Sequence, residues 1–260
     1  MKWTRFLLIY CFNLFWIPAF AGMTIRKGRH PRESGDPGRI TRCLFLFSMF
    51  SACLPTPLVT SYAELRARAP QMLHGFTADV SFDATMPQLR VRSQGILAIR
   101  APDRLRFDLR GPSGSIASRF VAQGDAWTLW DVASDQKWNR QSADAPAFAS
   151  LLVPGAMVGV ITGRFDPPDN ATFMQDKNSA RGAWQLGNET WRVDWDLATA
   201  MVLDIQIVTG TQTWHVSVRG RHASGVAREV FVETTEGSSI LMQIGRVVVR
   251  DNLGDDVFAL

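Results

Sequence analysis

RLRFDLRGPSGSIASRFVAQGDAWTLWD, residues 104–131, alternates apolar and polar side chains, and that alternation decides the fold. Leu105, Phe107 and Leu109 fall on one side and Arg104, Arg106, Asp108 and Arg110 on the other, the period-two pattern of a strand with one buried and one wet face. Gly111, Pro112 and Gly114 break the run as a turn does. The pattern resumes through Ile116, Phe120 and Ala122, pauses at Gly124-Asp125, and returns at Trp127 and Leu129. Three antiparallel strands sharing one apolar wall are expected here.

The same pattern runs through most of the chain on both sides. Phe76, Ala78, Val80 and Phe82 alternate, followed by Leu89, Val91, Gly95, Leu97 and Ile99. A short strand is expected at Lys137–Arg140. Beyond the turn-rich Asp166–Asn170, apolar alternation returns with Trp184 and Leu186, with Trp191, Val193 and Trp195, and with Leu203, Ile205 and Ile207. It continues through Trp214, Val216 and Val218, then Val226, Val230 and Val232. In the last strand Ile240, Met242 and Ile244 share a face, whereas beyond Gly245 it is Val247 and Val249 that point inward, the one-residue shift of a β-bulge. The closing DDVFAL is expected to lie across the barrel's edge.

Two stretches depart from this period. Ser61 with Glu64 forms a capping box for a helix bearing Tyr62, Leu65 and Ala69. Asp144 is placed to cap a second helix with Pro146 in its first turn and Phe148, Leu151 and Leu152 on one side. After Pro154-Gly155 a third apolar helix is expected through Met157, Val160 and Ile161, ending near Gly163. These central helices are either a packed plug or a lid that moves for a ligand. The strand count is roughly eleven to thirteen, with regular turn signals. The expected fold is mainly β: a half-open antiparallel β-barrel of roughly eleven strands closed by short α-helices.

Charge and cysteines divide the chain in two. Of 28 basic and 24 acidic residues, the first 52 positions hold eight and two, which leaves 20 basic and 22 acidic residues after them. The basic character belongs to the leader, so the domain lacks the concentrated basic face of a nucleic-acid binder. Cys11, Cys43 and Cys53 all precede the alternating region, so the expected domain has no internal disulfide and no thiolate metal site. The leader carries two apolar segments. Residues 6–21, ending in Ala19-Phe20-Ala21, read alone as a secretory signal. The second, CLFLFSMF from Cys43 to Phe50, runs into Ser51-Ala52-Cys53 and resembles the lipobox of bacterial lipoproteins, whose cysteine is acylated. Between them, WIPAFAGMT and RHPRESGDP resemble a translated intergenic repeat. The expected organisation is a leader at 1–52, with 1–38 a misassigned start and 39–52 a lipoprotein signal. A tether at 53–60, with Pro55 and Pro57, and one domain at 61–260 follow.

No catalytic constellation is legible. His74, His215 and His222 lack metal-ligand spacing, and neither a zinc-binding HExxH nor a strand-to-helix serine elbow is present. No cofactor, no metal and no enzymatic activity are expected. The tryptophans carry the functional signal instead. Trp127, Trp184, Trp191, Trp195 and Trp214 sit on apolar strand faces, where they either fill a core or line a hollow fit for an acyl chain.

From about Ala63 onward the chain resembles the LolA/LolB lipoprotein-carrier superfamily. LRFDLRGPSG followed by SRFVAQGDAWTLWD is similar to the LolB pattern of strand, (Asn/Gly)-Pro-Leu-Gly turn, strand and Gly-x-x-x-Thr/Gln-Leu strand. The lipobox and this turn place the resemblance nearer LolB than the soluble LolA type. The resemblance implies a half-open barrel closed by helices, acyl chains held inside, and a periplasmic carrier protein as donor. It also implies lipidation at Cys53 and, since Leu54 is not the aspartate of inner-membrane retention, a place on the periplasmic face of the outer membrane. Pro112, Ser113 and Gly114 would form the membrane-facing turn, with Ser113 where LolB-like proteins carry a protruding leucine. The cavity-lining set expected from the strand faces and helices is Leu105, Phe107, Leu109, Phe120, Trp127, Leu129, Phe148, Leu151, Leu152, Trp191, Trp195 and Trp214.

Three functions compete on this reading: a lipid-anchored binder of lipoprotein acyl chains or other lipids, an envelope interaction module with a filled interior, and, weakly, a hydrolase. The anchor has its own test. Cys53→Ser is expected to shift the protein from the membrane to the soluble fraction of cells, and unchanged fractionation would contradict the lipobox reading.

Overall fold

A computed structural model describes residues 59–69, 73–250 and 252–260. The chain divides into units Met1–Thr56 and Pro57–Leu260, and the described residues all belong to the second. Cys53 and the rest of the leader lie outside them.

The second unit is one antiparallel sheet of thirteen strands wrapped around a short helix. In chain order the elements begin with α1 (Tyr62–Arg68), β1 (Gly75–Met86), β2 (Leu89–Arg100), β3 (Arg104–Arg110), β4 (Ile116–Gln123), β5 (Ala126–Asp131) and β6 (Gln136–Asn139). A 3-10 helix (Ala147–Leu151) and α2 (Pro154–Thr162) interrupt the strands. Then come β7 (Thr172–Gln175), β8 (Ser179–Leu186), β9 (Glu189–Asp196), β10 (Val202–Thr209), β11 (Gln212–Arg221), β12 (Ala227–Thr234) and β13 (Ser239–Val249), with a last 3-10 helix at Asp255–Phe258. The spatial order is β6-β5-β4-β3-β2-β1-β13-β12-β11-β10-β9-β8-β7. Because β1 pairs with β13, the first and last strands sit at the middle of the sheet and the barrel stays open between β6 and β7. Among the described residues no helix is long and apolar enough to cross a membrane.

The inner wall follows the sequence alternation except at Leu89, Leu186, Leu203 and Val249, which are exposed; at Leu203 a register shift in the β9–β10 pairing turns Val202 inward instead. Phe76, Ala78, Val80 and Phe82 of β1, Leu105, Phe107 and Leu109 of β3, and Ile240, Met242 and Ile244 of β13 are all buried. The expected bulge is present: Ala78 pairs with Val247 but Val80 with Ile244, which leaves Gly245 and Arg246 opposite Asp79. A second bulge in β4 sets Ile116 opposite Arg110, so Ile116 does not share the face of Leu109. At α1 the expected cap forms, with the Glu64 backbone N–H donating to Ser61 Oγ at 3.4 Å. The Glu64 carboxylate reaches one residue further back and accepts from the Thr60 backbone N–H at 2.7 Å, a bond that lowers its pKa. Asp144 caps no helix. The segment after it is 3-10, with Pro146 at its N-cap, and Asp144 instead accepts from Gln136 Nε2 at 3.4 Å.

The C-terminal tail lies on the outer face of β2–β4 and not across an edge. Leu253 and Phe258 pack with Ala98 and Val121, an apolar seat on the otherwise polar outside of these strands. Arginines of the same face hold it there. Arg100 donates to the Leu253 carbonyl at 2.7 Å, and Arg104 donates to Asp255 Oδ1 at 2.7 Å. Arg100 also pairs with Asp255, and its guanidinium lies 5.4 Å from the centre of the Phe258 ring. Arg106 donates to the Val257 carbonyl and, with Arg119, to the largely buried Asp108. The wet face of the 104–110 strand is thus a docking surface for the chain's own end.

Asp255 is exposed, and the Arg100 guanidinium, seconded by Arg104, holds its carboxyl below the usual range. A depressed folded pKa stabilises above the unfolded value of about 3.9, and that contribution disappears as pH falls through the folded one. Asp255→Asn is therefore expected to melt below wild type at pH 7, with the gap in Tm closing as the pH is lowered past 4. No gap at pH 7, or a gap that stays constant to pH 2, would show that the charge of Asp255 does not hold the tail.

Candidate functional site

Among the described residues a hollow of about 400 Å³, partly open to solvent, lies between the β5–β6 end of the sheet and strands β9, β10 and β11, and a second of equal volume lies at the other end of α2 beside Thr162, Gly163, Met201 and Arg221. Trp127, Trp191, Ile207 and Trp214 wall the first, Leu152, Val153 and Pro154 form its inner end, and residues 142–150 cover it. Asp125, Asn139, Arg140 and Glu189 stand among the lining residues as its polar part.

Each wall tryptophan is fixed by a nameable contact. Trp127 tilts against Phe120 at 5.6 Å between ring centres. Trp191 lies nearly parallel to Trp184 at 6.1 Å, and Phe165 stacks on both at 5.6 Å. The Trp191 indole N–H donates to Glu189 Oε2 at 3.0 Å, while Arg140 Nη2 pairs with Glu189 Oε1 at 3.3 Å, joining the β6 end of the sheet to β9. The Trp214 indole N–H donates to the Ser150 carbonyl at 3.3 Å and ties the cover to β11.

Helix α2 decides where the hollow ends. It is apolar on all sides, with Pro154, Ala156, Met157, Val158, Gly159, Val160 and Ile161 buried, and it packs against β10, β11, β12 and β3. Burying each larger side chain stabilises by about 1.5–3 kcal/mol. Gly159 is required by the approach of Phe165: a Cβ there would lie 2.6 Å from Phe165 Cδ2. Gly163 ends the helix in the left-handed region at φ +78°. The carbonyls beyond are taken by Arg221, which donates to Val160 O at 3.1 Å, Gly225 O at 2.9 Å, Ile161 O at 3.5 Å and Val202 O. Burial pulls this guanidinium's pKa down to about 10, so it remains charged at neutral pH where the helix's negative end favours it. Helix α2 is therefore a plug; the cover over the hollow is the thinner 142–150 segment, in which Ala147 and Ser150 are exposed.

Of the twelve residues expected to line a cavity, Trp127, Leu152, Trp191 and Trp214 come together around the hollow. Leu105, Phe107, Leu109, Phe120, Leu129, Leu151 and Trp195 lie in the packed core, where Trp195 stacks on Phe173 at 5.8 Å. Phe148 is half-buried with its edge toward Phe82 at 6.1 Å. The Pro112–Gly114 turn is exposed, and Ser113 Oγ lies 2.8 Å from Ser115 Oγ. Sequence reasoning missed Arg140 and Glu189, whose pairing across 49 residues leaves no local signal, and Arg221, which reads in sequence as an ordinary outward strand residue. Among the described residues no group of three or more His, Cys, Asp or Glu is placed to hold a metal ion.

The thirteen-stranded open sheet around a buried helix is similar in fold to several solved structures. Its similar structures are an outer membrane lipoprotein-sorting protein domain from Vibrio parahaemolyticus (TM-score 0.55, 10% identity, 76% of this chain and 94% of that one) and a LolA superfamily protein from Nitrosomonas europaea (0.50, 8%, 78% and 99%). A DUF1329 family protein from Desulfovibrio piger aligns comparably, at TM-score 0.53 and 9% identity over 76% of this chain and 93% of that one. No family model and no curated protein matches the sequence.

Arg221→Ala leaves several buried carbonyls without a donor, at about 1–3 kcal/mol for each group left unsatisfied. The variant is expected to lose about 2–4 kcal/mol in urea unfolding, whereas the exposed Arg246→Ala stays within about 0.5 kcal/mol of wild type. Equal behaviour of the two would remove Arg221 as the terminus of α2.

Proposed function

We propose that this protein is a lipoprotein anchored through Cys53 to the periplasmic face of the outer membrane, and that it holds acyl chains of lipoproteins or other lipids in the hollow beside α2. On this reading it takes part in lipoprotein localisation, receives its cargo from a periplasmic carrier protein, and works by binding without a catalytic step. The observation that carries the proposal is the hollow itself: about 400 Å³ walled by Trp127, Trp191 and Trp214 beside the packed core. Its size falls within the range of about 300–1,000 Å³ common for small-molecule sites, with tryptophan walls and a polar side at Asp125, Asn139, Arg140 and Glu189. An interaction module with a filled interior has no use for such a space.

The lipobox at Cys53 and the fold shared with lipoprotein-sorting domains support the location. Ser113 shapes the activity. A serine at the tip of the 111–115 turn adds little apolar surface, so chain acceptance is proposed and insertion by a protruding apolar tip is not.

A fluorescent fatty-acyl probe is expected to bind the purified protein with saturable signal. Ala147→Trp, which fills the hollow from an exposed position on its cover, is expected to cut affinity about tenfold or more with Tm unchanged. Absence of uptake by wild type, or uptake unaffected by the tryptophan, would overturn the proposal.

A further inference from the structure

We propose that the ligand is a single-chain amphiphile whose head pairs a phosphate with an ammonium group, and that a free fatty acid is discriminated against. The inference rests on the acyl-chain reading and goes on to the head and chain number that the hollow selects.

Volume sets the chain number. At about 400 Å³ the hollow lies near the small end of the roughly 300–1,000 Å³ common for small-molecule sites, a size that favours one chain over three.

Charge sets the head. The hollow's lining has one cation, Arg140, and two carboxylates, Asp125 and Glu189. Glu189 is engaged on both oxygens, by the Trp191 indole N–H and by Arg140. Asp125 is exposed and has no hydrogen-bond or ion-pair partner among the described residues. Arg140 is held only by Glu189, at 3.3 Å, longer than the roughly 2.8 Å of a strong charge-assisted bond, and its side chain is 59% exposed. Its remaining guanidinium donors have no partner among the described residues, and the fork geometry suits two oxygens of a phosphate. When Arg140 turns to a phosphate, the Glu189 oxygen it leaves is free to receive an ammonium, and Asp125 adds a second carboxylate to the same lining. A fatty acid brings only a carboxylate to a rim that already carries a net negative charge, and leaves both acidic side chains without a new partner.

Displacement of a fluorescent acyl probe by four compounds of equal chain length, each below its micelle concentration, tests this. The compounds are a lysophosphatidylethanolamine, a fatty acid, an alkyltrimethylammonium and a monoacylglycerol. The zwitterion is expected to bind about tenfold or more tighter than the fatty acid. Arg140→Gln is expected to weaken the zwitterion about tenfold, the size of one charge-assisted hydrogen bond, and to weaken the monoacylglycerol by a clearly smaller factor. Asp125→Asn is expected to narrow the gap between zwitterion and fatty acid. Four equal affinities, a preference for the fatty acid, or a ranking that neither substitution alters would overturn this inference while the acyl-chain reading stands. Displacement by none of the four would remove the acyl-chain reading and this inference with it.

Discussion

A helix with no polar face has to be surrounded, and α2 imposes that condition on the whole domain. Seven of its nine residues are buried, and their neighbours come from both arms of the sheet, β3 on one side and β10–β12 on the other. The sheet curves round the helix from both arms while β6 and β7 stay unpaired at its two ends, so the barrel is open. The helix is held along its length by Phe165 against Gly159 and at its end by Arg221. Where its first turn begins, at Pro154, side chains stop filling the interior and the hollow starts.

The inner wall was legible because it follows a local rule. Alternation at residues 105–109, 76–82 and 240–244 states which face is buried, and the phase change at Gly245 states where the ladder slips. The end of α2 at Gly163 was legible for the same reason, since a left-handed glycine is a local requirement. Three other features depend on distant parts of the chain and could not be read along it. Asp144 has the chemistry of a helix cap, but the segment after it is tied by Trp214 to β11, 64 residues away, and takes a 3-10 form. Ile116 continues an alternation that a bulge interrupts. The tail lies on the outer face because Ala98 and Val121 form a seat that only strand pairing assembles.

The candidate site divides in the same way. Tryptophans on apolar strand faces pointed to the interior, yet whether a given ring packs or lines a void depends on what stands opposite. Trp195 meets Tyr62 and Phe173 and lies in solid core; Trp127, Trp191 and Trp214 face a cover one 3-10 turn thick. The charged part was illegible because Arg140 follows an edge strand and Glu189 opens an unconnected one, and each alone reads as solvated turn chemistry. Neighbouring turns of the sheet make them a pair. A shared fold at 8–10% identity fits this picture, since a pattern of apolar faces is a constraint that many sequences satisfy.

The central claim is that the space beside α2 is a binding site and not a packing flaw. A crystal structure of the protein grown with a saturated single-chain lipid tests it most directly. The account predicts continuous chain density between Trp127, Leu152, Trp191 and Trp214 with the head at Arg140. Density only on the outside of the sheet, or the four side chains collapsed together with no space between them, would contradict it.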